Sequence, residues 1–386
     1  MTTKINNEQK KLNVPNLRFP EFQGEWISKT IGDIAPLQRG FDLPTGQICN
    51  GKIPVVYSNG IMNHHSSYKC VAPGVVTGRS GTIGKFTYIE DGYYWPHNTS
   101  LWVTDFHDNN PKFIYYLYQT IHIEQYSTGS GVPTLNRNNV HRHKTFIPKL
   151  KEQNKTAAFL SLLDERISTQ SKIIDKLQSL IKGLNDSLYA QYGDKVLTSF
   201  AELGTSYSGL SGKSAQDFGS GKPFITYLNV YSNNVINEND FQYVAIKNGE
   251  KQNIVEYGDV LFTLSSETPE EVGIGSVYLG KEKVYLNSFC LGIHITNKEV
   301  AFPPYLSYYV SSTAFRKFIY PYAQGSTRFN LCKADFEKAS IKLPTLENQK
   351  RIYSILSHID SKIETERQML DLYNSQKQYL LRQMFI

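Results

Sequence analysis

The chain has 386 residues, of which 40% are hydrophobic and 20% are charged, and its formal net charge is +6. These values predict a folded chain of two or three domains and exclude intrinsic disorder. No run reaches the roughly 18 consecutive apolar residues of a membrane helix, and the polar start lacks a secretory core. The sequence therefore predicts a cytoplasmic protein, whose mild basicity is compatible with a polyanionic partner without requiring one.

The first globular domain is predicted over residues 1–147. Its tail before Asn16 is expected to be loose, whereas Leu17–Trp26, with apolar residues around Pro and Gly, is expected to dock on the domain. The apolar spacing of Pro111–Ile123 predicts a short helix. Short strand patterns separated by turns occur at 52–57, 74–77, 86–89 and 101–104. The domain is therefore predicted to mix helices and strands.

A long helix is predicted over residues 148–192. Its apolar residues recur at alternating steps of three and four, with Gln170 as a polar interruption, which is the pattern of a coiled-coil seam. The seam residues are Leu160, Leu163, Ile167, Ile174, Leu177, Ile181, Leu184 and Leu188. A helix of about 40 residues is roughly 60 Å long, so we expect it to act as a spacer.

The pattern returns at an offset of 196 residues. A second globular domain is predicted over residues 193–343 and a second long helix over residues 344–386, with Glu366 at the position of Gln170. Both helices begin with Pro-x-Leu-x-x-Gln, and the second domain loosely repeats the strand and helix patterns of the first. We therefore expect an α+β fold: two globular mixed α/β domains separated by two long antiparallel coiled-coil helices, with an internal pseudo-twofold repeat.

Polar and basic loops recur at equivalent positions of the two domains. Arg and Asn side chains recognise guanine and adenine edges, whereas Ser, Thr and Lys bind phosphates. We therefore predict DNA contacts in the first domain from Arg79, Ser80, Thr82, Lys85, Asn136, Arg137, Asn138, His141 and Arg142. The predicted contacts of the second domain are Ser265, Ser266, Thr268, Ser326, Thr327, Arg328 and Asn330. Such loops are also common as solvated turns, and only their recurrence favours DNA.

The sequence contains no convincing catalytic or metal-binding pattern. Gly78–Lys85 has clustered glycines, but Phe86 stands where a phosphate-binding loop needs Ser or Thr. The Phe302–Tyr305 segment resembles the Pro-Pro-aromatic element of amino-methyltransferases, but Phe302 cannot accept a hydrogen bond from a target amine. The histidine pairs lack further ligands at metal spacing, and the cysteines form no C-x-x-C pair. The chain is therefore predicted to be non-catalytic and to bind no metal.

Three motifs together resemble the specificity subunit of type I restriction-modification systems. They are Arg18-Phe-Pro-Glu-Phe with Gly24-Glu-Trp26, the glycine loop Thr77–Gly84, and the Pro-x-Leu-x-x-Gln start of both long helices. The resemblance implies two target-recognition domains that each recognise half of a split double-stranded DNA site. It also implies that two modification (methyltransferase) subunits dock on the chain and that restriction subunits join them. S-adenosylmethionine, ATP and Mg²⁺ are then expected on those partners, with no cofactor on this chain. In the second domain, Leu264–Glu271 departs from the glycine-loop motif.

Two other classes of function remain open at this point. A stand-alone DNA-binding regulator would share the polar loops. Recovery of a methyltransferase with the chain from its own cells would distinguish a specificity subunit from such a regulator. A scaffold that binds protein or glycan through its tyrosine-rich domains is the second alternative. Salt-dependent binding to duplex DNA would exclude that scaffold.

Overall fold

The computed structural model describes residues 13–129, 131–193 and 195–386, so residues 1–12 of the predicted tail lie outside the described residues. The chain forms two units: residues up to Ser171 together with Gln368–Ile386, and Lys172–Arg367. Each unit contains one globular domain and a segment of each long helix. Because this division cuts both helices, it differs from the four segments predicted from the sequence, whose boundaries stay a prediction.

The globular part of the first unit is built from short strands and three helices. Its strands are β1 (Ile27–Thr30), β2 (Leu37–Arg39), β3 (Ile53–Tyr57), β4 (Gly60–His65), β5 (Cys70–Val71), β6 (Gly74–Gly78), β7 (Phe86–Ile89), β8 (Tyr93–Pro96), β9 (Ser100–Val103), β10 (Ser127–Thr128), β11 (Thr134–Leu135) and β12 (Lys144–Ile147). Its helices are α1 (Ile31–Ile34), α2 (Pro111–Thr120) and α3 (Arg137–His141), and the long helix α4 (Leu150–Tyr192) follows.

Two four-stranded sheets form the frame of this domain. One has the strand order β2-β9-β6-β7 and the other β4-β3-β8-β5. Local capping explains where the helices begin: the Thr30 and Asp33 side chains form a capping box for α1, and Asn110 caps α2 ahead of Pro111. Phe113 and Tyr116 of α2 are fully buried in the core between the sheet and the long-helix segments.

The second unit repeats these elements. Its strands are β13 (Val196–Thr198), β14 (Gly204–Ser208), β15 (Phe218–Ile225), β16 (Gln242–Val244), β17 (Val260–Thr263), β18 (Ser265–Ser266), β19 (Gly275–Val277), β20 (Tyr285–Leu286), β21 (Cys290–Ile295), β22 (Ala323–Gln324), β23 (Phe329–Leu331) and β24 (Ile341–Leu343). Its helices are α5 (Phe200–Leu203), α6 (Tyr227–Ser232), α7 (Pro303–Tyr309), α8 (Thr313–Ile319), α9 (Lys333–Lys338) and the long α10 (Leu346–Met384).

The sheet orders confirm the internal repeat. The sheet β14-β21-β17-β19 of the second domain matches β2-β9-β6-β7 of the first, and the pair β13-β24 matches β1-β12. Ser199 caps α5 by accepting a hydrogen bond from the Glu202 N–H, as Thr30 caps α1. Helices α5 and α7 of the second domain likewise correspond to α1 and α2 of the first.

The long helices bury the seam predicted from the sequence. In the first unit Leu160 and Met384 belong to one core, and Lys377 forms an ion pair with Asp164 at 2.7 Å, so the end of α10 runs antiparallel to the start of α4. In the second unit Tyr189 donates to the Lys342 carbonyl, just before α10. Tyr308 contacts both helices of this unit, because its carbonyl accepts from Asn185 and its hydroxyl donates to Asp360. Tyr189 thus lies near the start of α10 and Asn185 near Asp360 further along it, so these helix segments are also antiparallel.

The glutamine of each Pro-x-Leu-x-x-Gln motif joins its long helix to its globular domain. Gln153 is buried, and its side-chain amide donates to the Pro148 carbonyl at 2.9 Å and to Asn109 Oδ1 at 3.0 Å. Its Oε1 accepts from the Asn110 N–H, directly before α2. The motif therefore ties the start of α4 to the start of α2.

Gln349 makes the equivalent contacts in the second unit. It is also buried, and its side-chain amide donates to the Pro344 carbonyl at 2.9 Å and to the Val300 carbonyl at 2.8 Å. Its Oε1 accepts from the Phe302 N–H, directly before α7. Two sequence motifs that look like helix starts are thus also attachment points for the two domains.

Candidate nucleic-acid interface

The glycine loop after β6 has a backbone that requires glycine at specific places. A Cβ at Gly78 would lie 1.6 Å from the Thr82 carbonyl oxygen, which excludes any side chain there. Gly81 and Gly84 have φ angles of +78° and +85°, a region that other residues seldom adopt. The loop therefore folds tightly back on itself and presents Arg79 at its start.

Hydrogen bonds attach this loop to a distant part of the chain. The Arg79 N–H donates to the Thr99 carbonyl at 2.8 Å, and the Arg79 carbonyl accepts from the Leu135 N–H at 2.7 Å. The Gly81 N–H donates to the Pro133 carbonyl at 3.2 Å. These bonds place Arg79 beside the segment that leads into α3, which carries the second group of predicted contacts.

The result is a surface pocket of about 300 Å³, which we call the arginine pocket. It is lined by Arg39, Arg79, Leu101, Thr128, Thr134, Leu135, Asn136 and Arg137. Among these, Arg39 also forms an exposed ion pair with Asp42 at 3.3 Å. Three arginines around one pocket favour an anionic or guanine-like partner, because guanidinium groups bind phosphates and the guanine edge through paired hydrogen bonds.

The other predicted contacts of the first domain lie outside the arginine pocket. They are Ser80, Thr82, Lys85, Asn138, His141 and Arg142. Lys85 donates to the Asn59 carbonyl at 2.7 Å, and His141 Nε2 accepts from the Leu37 N–H at 2.8 Å. Burial lowers the pKa of His141, which suits this acceptor role. His141 therefore has a structural role in the domain, and its DNA contact stays a prediction.

In the second domain a small sheet brings the predicted loops together. Strand β18 pairs with β23 so that Ser265 lies opposite Asn330 and Ser266 opposite Phe329. Arg328 precedes this strand and is exposed. Thr268, Ser326 and Thr327 are exposed as well, but they do not line the pocket described next.

A second pocket, of about 340 Å³, opens beside this sheet, and we call it the tyrosine pocket. It is lined by Tyr227, Leu228, Tyr231, Ser265, Ser266, Glu267, Glu271, Phe289 and Arg328. The Tyr227 and Tyr231 rings are stacked at 6.1 Å, and the Tyr227 hydroxyl donates to the Ser265 carbonyl at 2.7 Å. Leu228 and Phe289 are mostly exposed, so the pocket has an apolar rim.

Glu271 is the central charged group of the tyrosine pocket. Its Oε2 accepts from the Ser266 hydroxyl and its Oε1 from the Tyr231 hydroxyl, both at 2.7 Å. These hydrogen bonds lower the pKa of Glu271, so the carboxylate is ionised at neutral pH. The two pockets therefore differ in chemistry, since one is cationic and the other combines aromatic rings, two carboxylates and one arginine.

Part of each pocket was predictable from the sequence. Arg79, Asn136 and Arg137 were predicted, whereas Arg39 was not, because it ends β2 in a segment without a loop motif. Ser265, Ser266 and Arg328 were predicted, whereas the tyrosines and Glu271 were not. The aromatic spacing of Tyr227 and Tyr231, one helical turn apart, was the available signal for the tyrosine pocket.

Among residues 13–129, 131–193 and 195–386, no group of three or more His, Cys, Asp or Glu side chains is placed to hold a metal ion. None of the described helices combines enough length with enough hydrophobicity to span a lipid bilayer.

The chain is similar in sequence to a known protein. The chain is 28% identical over 260 residues to a protein assigned as the specificity subunit of the type I restriction enzyme MjaX in Methanocaldococcus jannaschii. That match covers 61% of this chain and 56% of the relative, so the chain spans little more than half of that protein's length.

Solved structures have a similar fold. A type I restriction-modification S subunit from M. genitalium superposes with a TM-score of 0.58 at 15% identity, over 97% of this chain and 99% of that one. A chain from a structural study of complex assembly and conformational transition in the type I R-M system gives a TM-score of 0.54 at 16% identity, over 92% and 96%.

A family model locates both copies of the repeat in the sequence. The model described as the type I restriction modification DNA specificity domain matches residues 23–179 and again residues 202–372. Each match contains one globular domain and at least part of the long helix that follows it. With both copies matched over most of its length, this chain belongs to the type I restriction modification DNA specificity family.

Proposed function

We propose that this chain recognises a split double-stranded DNA site, with each globular domain contacting one half. The arginine pocket carries the proposal, because it gathers Arg39, Arg79 and Arg137 from three separate segments around one opening. Arginines held in this way bind phosphates and guanine edges. The tyrosine pocket contains Arg328 and Ser266 and occupies a part of the second domain equivalent to that of the arginine pocket in the first. It therefore supports a second DNA-recognition site.

The repeat itself supports a bipartite target. Two domains that share the strand order of one four-stranded sheet but differ in pocket chemistry suit two half-sites of different sequence. Duplex DNA has an approximate twofold symmetry, and proteins with an internal twofold repeat commonly match it. The proposed role is recognition without catalysis on this chain.

We also propose that two modification (methyltransferase) subunits dock on the long helices and that restriction subunits join them. Apolar side chains at matching positions of the two helices are exposed: Phe159 with Ile355, and Ile173 with Met369. Matched exposed positions suit two copies of one partner. S-adenosylmethionine, ATP and Mg²⁺ are then bound by those partners rather than by this chain, and the complex works in the cytoplasm.

The experiment exchanges one domain at a time. Residues 1–147 are replaced by the equivalent domain of a relative, and a complex purified through a tag on this chain is used to select from random duplex DNA. One half of the selected site is expected to change. Replacement of residues 193–343 is the matched control and should change the other half. A change in both halves, or in neither, would contradict the proposal, and purification without any methyltransferase would contradict its partner arrangement.

A further inference from the structure

Glu271 is unexpected among residues predicted to contact DNA. It lines the tyrosine pocket together with Ser265, Ser266 and Arg328, which are all predicted contacts. A carboxylate near a polyanion is repelled by phosphates, so an acid at such a place costs binding energy unless it accepts a hydrogen bond. A DNA base with an exposed amino group provides such a donor.

The carboxylate of Glu271 is held ready to accept. The Ser266 and Tyr231 hydroxyl groups each donate to one of its oxygens at 2.7 Å. A carboxylate has about four acceptor positions, which is more than these two bonds use. Because the hydroxyls fix its orientation, little conformational entropy is lost when a further donor arrives.

Arg316 fixes the loop on both sides of Glu271. Its guanidinium donates to the Glu270 carbonyl at 2.6 Å, to the Val272 carbonyl at 2.9 Å and to the Gly273 carbonyl at 2.7 Å. These three bonds hold the backbone immediately before and after Glu271. A site supported in this way keeps its geometry when DNA binds.

The chemistry of the base edges selects the partner. In the major groove, cytosine presents its N4 amino donor, whereas adenine presents its N6 amino group next to the N7 acceptor. If a carboxylate accepted from adenine N6, its second oxygen would lie beside adenine N7, and the two acceptors would repel each other. A carboxylate therefore suits cytosine, and an amide, which offers one donor and one acceptor, suits adenine.

We infer that Glu271 is a specificity-determining residue that accepts a hydrogen bond from the N4 amino group of a cytosine in the half-site contacted by the second domain. Arg316 acts as a positioning residue for it. This inference rests on the proposed DNA-recognition function. It assigns one base type to one side chain, which the family relationship does not.

The test compares selected DNA sequences. The complex purified through a tag on the full chain is used to select from duplex libraries, as wild type and as Glu271→Gln. We expect the preference at one position of one half-site to change from cytosine to adenine by about tenfold, the usual size of a good base contact. The other half-site should stay the same. Glu270→Gln removes a neighbouring charge outside the pocket and should change no position.

A second measurement uses wild-type protein alone, so it does not depend on the folding of a variant. The cytosine is replaced by a 2-pyrimidinone nucleotide, which lacks only the N4 amino group, and the affinity should fall about tenfold. The same replacement in the spacer between the half-sites is the control, because 2-pyrimidinone also pairs more weakly with guanine there. The inference would be overturned if 2-pyrimidinone lowered the affinity equally in the half-site and in the spacer. It would also be overturned if the Glu271→Gln variant selected cytosine at the same positions as the wild type. If the wild-type complex selected no sequence at all, the proposed function itself would fail.

Discussion

At the scale of single residues, Gln153 and Gln349 connect each long helix to its domain. Each is buried and donates a hydrogen bond to the proline carbonyl of its own motif. Each also accepts a hydrogen bond from a backbone N–H at the start of a domain helix. The motif was recognised in the sequence as a repeated helix start. Its second role depends on Asn110 and Phe302, more than 40 residues away in the chain, so local pattern could not reveal it.

We predict that Gln153→Leu lowers the free energy of unfolding by about 2–3 kcal/mol, because the Asn110 N–H and the Pro148 carbonyl lose their partner inside the protein. Urea denaturation followed by circular dichroism measures the change. Gln376→Leu, at an exposed position of α10, is the matched control and should change stability by less than about 0.5 kcal/mol. Equal stability of the two variants would mean that the buried bonds contribute nothing.

Arg79 belongs to the same scale, because one tight loop presents it to the arginine pocket. Arg79→Ala should weaken binding to the selected DNA site by roughly 1–3 kcal/mol if the side chain contacts a base. Binding is measured at fixed salt against the selected site and against unrelated duplexes. A loss that is equal on all sequences would make Arg79 a phosphate contact. Arg166→Ala, on an exposed position of α4, is the control and should leave DNA binding unchanged.

The pockets show where sequence reasoning ends at this scale. Arg79 and Arg137 were predictable because they lie in polar segments of the sequence, whereas Arg39 reaches the pocket through the pairing of β2 with β9. Glu271 could not be predicted as a contact, because its charge opposes the expected partner. Its role follows from hydroxyl groups that the fold brings to it, such as that of Tyr231.

At the scale of elements, the regular spacing of apolar residues predicted the two long helices well. Seam residues such as Leu160, Ile174 and Ile363 are buried, and none of the predicted seam positions of α4 is exposed. Very short strands such as β5 and β10 were not predicted, since two residues carry no readable period. Their pairing is set by contacts across the domain.

Gln170 and Glu366 interrupt the seams and are both buried, at 6% exposure each. Glu366 also pairs with Lys362 on its own helix. Buried polar residues in a seam commonly fix register at a cost in stability. We therefore predict that Leu at both positions raises the melting temperature and loosens the register of the helices. Thermal melting and site-directed cross-linking measure the two effects. A lower melting temperature would show that these two polar side chains stabilise the fold.

At the scale of the whole molecule, the two long helices are predicted to determine the distance between the half-sites. One heptad added to each helix preserves the seam and adds about 10 Å to its length. Base pairs are stacked about 3.4 Å apart, so the preferred spacer should lengthen by roughly three pairs while both half-site sequences stay the same. Selection from DNA libraries with variable spacers measures this. An unchanged spacer would contradict the spacer role.

The insertion has its own control, because two residues added to each helix would rotate the following seam residues by about 200° around the helix axis and turn them away from the partner helix. That variant is expected to lose thermal stability rather than shift the spacer. Affinity of the heptad variant is expected to fall, since three extra base pairs also rotate one half-site around the duplex axis. Changed half-site bases, by contrast, would show that the helices influence recognition itself.

The composition of the first core has a consequence for synthesis on the ribosome. Leu380, Leu381, Met384 and Phe385 complete the core that also contains Trp26 and Phe113. The first domain therefore cannot close this core until Phe385 has emerged, whereas the second unit is complete once Arg367 has emerged. Domains generally fold as they emerge, with the N-terminal one first. We expect the opposite order here, with apolar surface of the first domain exposed until Phe385 has been made.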